Sequence, residues 1–287
     1  MTKIFLTGAN GLLGSSFKRI FTNRNSYNVK SLAFKEIESL NSEQLKNILN
    51  DIDWIIHCAA LTNVEYCEKN PEDCYKANCL FTEKLSLCAN KHSRFLFISS
   101  TGIYGEHKST PYNEFDKVEP TTVHHKSKEI AEKIILNHNP ENIIVRTGWL
   151  YGDISKNDFV SKIINEAELA SSPLKSNSDQ IGCPTNSNEL SKVCIDLINK
   201  DASGIFNVTS SGEASRFDYV KTIIEIFGYE TNVLPVKASF FDRIAKVSNN
   251  ETAISVRLKD FGIDLLPNWK ISLKKYLKKL KSQKRKL

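Results

Sequence analysis

Short apolar runs recur through the first half of the chain, at Ile4 to Leu6, Val29 to Leu32, Trp54 to Ile56, Phe95 to Ile98 and Ile143 to Val145. Stretches of helical period lie between them, so the pattern predicts strand and helix in alternation. Strands joined through helices run parallel, which predicts an α/β fold with a doubly wound parallel sheet. One helix start is well marked. Asn70 can cap, Pro71 suits the first helical position, and Glu72 and Asp73 meet the positive end of the helix dipole. The helix that starts there is predicted to reach about Asn90.

After Gly152 the alternation weakens, and Ser171 to Thr185 is rich in Ser, Asn and Pro. The expected division is a dinucleotide-binding domain over residues 1–152 and a smaller C-terminal α/β substrate lobe over 153–287. Helices are predicted near Asn188 to Asn199 and Phe217 to Phe227. A strand at Ile205 to Val208 between them is expected to rejoin the first sheet. A length of 287 residues accommodates this plan.

Charge changes the picture only at the end of the chain. The net charge is +6, but residues 270–287 carry nine Lys or Arg and no acid, which leaves 30 basic against 33 acidic residues elsewhere. Nucleic-acid binding is therefore not expected. The tail reads as a solvated final helix, with contact to an anionic surface as the alternative. Seven cysteines (Cys58, Cys67, Cys74, Cys79, Cys88, Cys183 and Cys194) show no C-x-x-C and no His at ligand spacing, so no metal is expected and the thiols read as buried or idle. No secretory signal precedes the first strand and no run is long enough to span a membrane, which together with the thiols points to the cytoplasm.

The chemistry begins where the first strand ends. Ile4 to Leu6 runs into T-G-A-N-G-L-L-G, which places Gly8, Gly11 and Gly14 just before a helical pattern. Glycines there let the chain turn tightly, approach a pyrophosphate and pack helix on strand, while the amides at the helix start face the phosphates. This is the signature of a Rossmann-type dinucleotide site. At the end of the second strand the stretch S-L-A-F-K offers Ala33 where a carboxylate would meet the ribose. With Ser31 and Lys35 close by, NADP(H) is favoured over NAD(H).

Four further segments carry a resemblance: D-W-I-I-H-C-A-A-L-T-N-V-E, F-I-S-S-T-G-I-Y-G, V-R-T-G-W-L-Y-G and K-S-K at 126–128. They resemble the extended short-chain dehydrogenase/reductases. D-Q-I-G-C-P-T at 179–185 and L-P-N-W-K-I-S-L-K-K-Y-L near the end are similar to the dTDP-4-dehydrorhamnose reductase family, so the resemblance spans nearly the whole chain. It implies reduction of the 4-keto group of a nucleotide-activated deoxysugar, in the making of polysaccharide precursors. It implies cofactor contacts from Gly8, Asn10, Gly11, Leu12, Leu13, Gly14, Lys35, Cys58, Ala59, Ala60, Asn78 and Lys128. It also implies substrate contacts from Thr62, Trp149, Asp179, Gln180 and Arg257, with Arg146 and Thr147 in the segment lining the nicotinamide and sugar.

Ser100 and Lys128 match the family's catalytic positions, but its Y-x-x-x-K reads His124, His125, Lys126, Ser127, Lys128 in this chain. Residues 124 and 128 share a helix face. Three readings stay open: His124 donates the proton, Ser100 or a water does so with His124 assisting, or the site binds without turnover. The alternatives to a reductase are a non-catalytic NADP-binding subunit and a nucleotide-sugar epimerase or dehydratase on the same scaffold. Tyr104 and Tyr151 read as packing, and His125 is expected to face solvent or the substrate lobe. A homodimer is compatible with everything in the sequence.

Overall fold

The five runs become five parallel strands, four of which bury both of their faces under helices while the strand at Val29 to Leu32 lies partly exposed at the sheet edge. The computed structural model describes residues 1–22, 24–152 and 158–284. Strands β1 (Thr2–Thr7), β2 (Tyr27–Leu32), β3 (Trp54–His57), β4 (Arg94–Ser100) and β5 (Ile143–Thr147) alternate with helices α1 (Leu12–Thr22), α2 (Phe34–Ser39), α3 (Ser42–Leu49), α4 (Val64–Lys69), α5 (Pro71–Tyr75), α6 (Phe81–Cys88) and α7 (Val123–His138). Ile4 and Leu6 join one core cluster with Ile56, Ile98 and Val145, while Phe5 joins the other with Ile55, Phe97 and Ile144. That period of two explains why the runs are apolar without interruption.

The sheet order is Gly204–Asn207, β5, β4, β3, β1, β2. The strand expected at Ile205 to Val208 does rejoin the sheet, one residue earlier than predicted, in parallel register with β5 (Phe206 opposite Val145). From β1 the chain winds outward in both directions, so the loops after β1 and β3 part at the centre of the sheet. A crevice at the carboxyl ends of such strands is where this topology binds ligands.

The helix predicted from Pro71 to about Asn90 is interrupted. Between α5 and α6, residues Lys76–Leu80 form a π-helical turn. The bulge brings Asn78 against the loop after β3, where its Oδ1 accepts from the Leu61 amide at 2.8 Å and its Nδ2 donates to the Leu61 carbonyl at 3.1 Å. Asn78 also donates to Ser127 Oγ on α7 at 2.9 Å. A π-turn of this kind gives up regular geometry to aim one side chain, and no hydrophobic periodicity reports it.

The C-terminal elements build a further core. Helices α8 (Phe159–Leu169), α10 (Arg216–Phe227) and α11 (Trp269–Lys284) pack Ile164, Tyr219, Ile223, Trp269 and Leu273 together, while α9 (Ser187–Asn199) covers the sheet beside α1. Within the Ser- and Asn-rich stretch, Leu174–Asn177 pairs in parallel with Val233–Val236. In α11, Leu273, Leu277 and Leu280 are buried while Lys274, Lys275, Lys278 and Lys279 are exposed, so the basic segment is one face of a docked helix; residues 285–287 lie outside the described residues. Among the described residues no helix is long and apolar enough to cross a membrane.

Candidate active site

Gly8 makes the tight passage from β1 toward α1. Its φ is +67°, and a Cβ there would stand 2.7 Å from the amide nitrogen of Ala59, so neither the backbone conformation nor the space admits a side chain. The loop closes on itself, with Gly11 N donating to Gly8 O at 2.9 Å, and then starts α1. Gly11, Leu12, Leu13 and Gly14 line a cleft of about 490 Å³, together with Cys58, Ala60, Ser100 and Lys128. Through Gly8 and Ala60 this cleft continues into a groove lined by Phe34, Glu38, Ala59, Leu61 and Lys76. Together they form a channel along the carboxyl end of the sheet whose two parts meet at Gly8 and Ala60, with the start of α1 lining the cleft.

Two buried hydroxyls on the cleft wall lack partners. Ser99 Oγ and Thr147 Oγ1 have no hydrogen-bond partner among the described residues, although both line the cleft. Buried polar atoms are rarely left so, and a ligand bearing hydroxyl and amide groups would satisfy them. The glycine turn and these two hydroxyls fit a dinucleotide.

Helix α7 supplies the reactive face. Thr122 caps it, accepting from the His125 amide at 3.2 Å, and positions 124 and 128 follow one turn apart. Lys128 places its ammonium 4.2 Å above the Phe97 ring, and burial lowers its pKa to about 8. Ser100 ends β4, where its Oγ accepts from Gly102 N at 3.2 Å, which leaves the hydroxyl proton free to be donated.

His124 lies against the loop after β3, with Nδ1 3.0 Å from the Leu61 carbonyl. A carbonyl only accepts, so Nδ1 carries a proton. Burial, then the neighbouring His125 and Lys128, push the His124 pKa down to about 3. A neutral ring with its proton on Nδ1 leaves Nε2 as a bare acceptor. His124 therefore receives hydrogen bonds in this site, and the tyrosine-like role of proton donor is closed to it in this tautomer.

Two more histidines are held neutral by burial: His57 at about 3 and His125 at about 4. His57 bridges Thr7 Oγ1 at 2.7 Å and Thr82 Oγ1 at 2.9 Å, linking β1, β3 and α6 beneath the cleft. Unfolded, all three rings would titrate near 6.5. Below that pH the unfolded chain binds protons that the native state refuses, so stability present above about pH 6.5 is lost as pH falls toward these depressed values. The slope is about 1.4 kcal/mol per pH unit per histidine. Thermal melts are expected to show a marked fall in Tm between about pH 7 and pH 5.5, and a constant Tm across that window would show that these rings are not held neutral.

The opposite wall is contributed by C-terminal residues. Trp149 adopts φ +49°, uncommon for a bulky residue, and its Nε1 donates to Glu251 at 2.6 Å. The Arg216 guanidinium stacks 3.4 Å over the Trp149 ring, and its Nε lies 3.4 Å from Gln180 Oε1. Burial lowers Arg216 to about 10 and raises Glu251 above the usual carboxylate range, so Arg216 remains cationic near neutrality. Arg243 lines the same cleft and is tied to Glu65 of α4 at 2.8 Å. Two guanidiniums thus line the cleft, an arrangement suited to a diphosphate.

Over residues 1–282 the sequence matches the family described as the RmlD substrate binding domain. The chain belongs to that family. A dTDP-4-dehydrorhamnose reductase of Aggregatibacter actinomycetemcomitans is 30% identical over 234 residues, covering 78% of this chain and 79% of that one. The crystal structure of a dTDP-4-dehydrorhamnose reductase from Clostridium acetobutylicum superposes with a TM-score of 0.92 at 30% identity, covering 97% of this chain and 99% of that one. The Bacillus anthracis enzyme of the same name, solved in complex with NADP, gives a TM-score of 0.90 at 26% identity, covering 97% and 100%.

Within the family's frame, most positions read from sequence converge. Gly8, Gly11, Leu12, Leu13, Gly14, Cys58, Ala60, Thr62, Ser100, His124, Lys128, Trp149 and Gln180 line the cleft, and Ala59 lines the adjoining groove. Asn78 acts one step back, by holding Leu61. Asn10 and Lys35 are exposed, and neither is among the lining residues. The groove does hold a carboxylate, Glu38 on α2, ion-paired to Lys76 at 2.8 Å, where the end of β2 showed none.

Four assignments need correction. Arg257 donates to the carbonyls of Ser203 and Ile205 and stacks on Phe206, so its guanidinium is committed at the edge of the sheet away from the cleft. Arg146 turns into the core, where Glu132 holds it with two hydrogen bonds. Asp179 accepts from the Ala238 amide at 3.0 Å in a separate groove. Of the two directions read for His125, solvent does not hold: it is buried against Gly102, where a Cβ would meet its ring at 2.2 Å, and lines the cleft. Arg216, Arg243 and Glu251 were missed because they lie far apart in sequence and only the fold gathers them.

Proposed function

We propose that this chain is a cytoplasmic NADPH-dependent reductase of the 4-keto group of a dTDP-activated 6-deoxysugar, with residues 1–152 holding mainly the dinucleotide and 153–287 mainly the sugar nucleotide. One observation carries the reading. A single cleft is lined by the glycine turn, Ser100 and Lys128 together with the cationic Arg216 and Arg243. Relatives of the same fold and length bear that activity in their names, and one of them is seen with NADP. The seven free cysteines suit a reducing compartment.

Bound in the channel, a reduced nicotinamide supplies the hydride. The remaining work falls to the chain. The amides at the start of α1 and the turn at Gly8 take the pyrophosphate, Lys128 takes ribose hydroxyls, and Ser99 and Thr147 complete the polar lining. Ser100 donates its free proton as a hydrogen bond to the keto oxygen, stabilising negative charge there. His124 Nε2 accepts from a water and so orients that water's other proton toward the same oxygen, the role left to it by its tautomer; bulk solvent reprotonates the hydroxide that the transfer leaves.

Oxidation of NADPH, followed by its absorbance with dTDP-4-keto-6-deoxysugars, tests the reading. Absence of turnover with every such sugar nucleotide, in protein that binds NADPH, would leave a binding subunit instead. Arg216→Ala is expected to raise KM for the sugar nucleotide about 10–100-fold, the worth of a charge-assisted contact, with NADPH affinity unchanged. An unaltered KM would place the diphosphate elsewhere.

A further inference from the structure

Behind His124 lie two thiols that the proposed reaction does not use. Cys67 on α4 and Cys74 on α5 are seven residues apart, and the break at Asn70 and Pro71 folds the two short helices so that both sulfurs face α7. Cys67 Sγ, Cys74 Sγ and a ring nitrogen of His124 all lie within 4.8 Å of one another, and all three residues are buried. The surrounding contacts point the donors inward. His124 Nδ1 and Cys67 Sγ share the Leu61 carbonyl, at 3.0 and 3.6 Å, and Asn78 Nδ2 stands 3.5 Å from Cys74 Sγ.

The structure assigns to Cys67, Cys74 and His124 a binding site for a single thiophilic divalent cation of the zinc class. Two thiolates and an imidazole are a ligand set this cation takes in tetrahedral geometry, with bonds of about 2.3 Å to sulfur and 2.0–2.1 Å to nitrogen. Those lengths require donor separations of roughly 3.5–3.8 Å, so a contraction of about 1.3 Å at most completes the site. The Leu61 carbonyl or a water supplies the fourth ligand. The outer shell is already present, since Asn78 and Ser127 hydrogen-bond around Cys74. Binding replaces two S–H bonds with two metal–sulfur bonds and one metal–nitrogen bond and releases two protons, with no change in oxidation state, so it tightens as pH rises.

The site stands apart from the reductase reading, but its consequence for turnover rests on it. Coordination through Nδ1, the nitrogen that shares the Leu61 carbonyl with Cys67 Sγ, displaces the proton that now goes to Leu61, and a neutral ring must then carry its proton on Nε2. Coordination would thus convert His124 from an acceptor into a donor toward the cleft.

Cobalt(II) titrated into the reduced full-length protein tests the site without reference to activity. One equivalent is expected to produce a near-ultraviolet sulfur-to-cobalt charge-transfer band with the strong visible absorption of a tetrahedral centre, both abolished by one equivalent of zinc. Cys67→Ser and Cys74→Ser, with Cys67→Ala and Cys74→Ala as alternatives if either serine variant misfolds, should each lose at least half of the band. Each should also weaken binding by more than the roughly 10–100-fold that an outer-shell change costs. Cys88→Ser, a buried thiol elsewhere, should leave the band intact. Absence of the band in the parent, a band undiminished in the Cys67 and Cys74 variants, or a Cys67–Cys74 disulfide forming in place of metal uptake would overturn the assignment. If the cobalt spectrum appears and no keto sugar is reduced, the site stands and the reductase reading falls.

Discussion

His124→Tyr is expected to raise kcat for NADPH-dependent reduction by about 10²-fold near pH 7 in metal-free buffer, the lower end of what a positioned general acid contributes. The argument is a proton count. In the native tautomer Nδ1 donates to Leu61, Nε2 is bare, and a pKa near 3 keeps the ring from holding a second proton. The parent must draw its proton from water that His124 orients. A phenol at position 124 shares its helix face with Lys128 and brings its own proton to the cleft. A neighbouring ammonium also favours the phenolate left after transfer. Steady-state kinetics with a dTDP-4-keto-6-deoxysugar, alongside a thermal melt to confirm folding, decide the matter. A fall in kcat would mean that His124 is itself the acid and that the bound substrate changes its protonation.

Arg146→Met is expected to cost about 3–5 kcal/mol of stability and to lower Tm by about 10 °C. Arg146 meets Glu132 through two hydrogen bonds, of 3.0 and 2.7 Å, and donates to Tyr104 at 3.1 Å, with both charged residues almost wholly buried. Removing the cation leaves the Glu132 carboxylate buried without its partner, and that penalty dominates the lost packing. Replacing both charges, as Arg146→Met with Glu132→Leu, should recover most of the loss, because an apolar pair carries no desolvation debt. Chemical denaturation of the single and double variants measures the difference. A double variant as unstable as the single one would locate the cost in packing around Tyr104 instead.

How much of this site could be read in advance depends on how local each feature is. The glycine turn is local: the chain reverses within a few residues of β1, and only glycine tolerates the approach to Ala59, so its meaning is legible in T-G-A-N-G-L-L-G. Ser100, His124 and Lys128 were legible because they sit at fixed offsets on one strand end and one helix. Asn78 was recognisable as a position, although its task of clasping Leu61 follows from a π-turn that leaves no periodic trace.

The arginines divide on the same ground. Arg257 and Arg146 lie in segments that resemble those of a cofactor- and sugar-binding family, yet a side chain's direction is set by neighbours distant in sequence. Glu132 captured one, and the carbonyls of Ser203 and Ile205 captured the other. Arg216 sits in an unremarkable S-R-F at a helix start, and becomes a cleft residue only because Trp149 lies beneath it.

By itself the sequence determined the alternation of strands and helices, the dinucleotide turn, the family and the histidine in the place of its tyrosine. All of these are carried by spacing along the chain. Tertiary structure alone decided the tautomer of His124, the gathering of Arg216, Arg243 and Glu251 in one cleft with the glycine turn, and the meeting of Cys67 and Cys74 beside His124. Burial, charge and hydrogen-bond direction are properties of a neighbourhood in space, and residues more than two hundred positions apart create it.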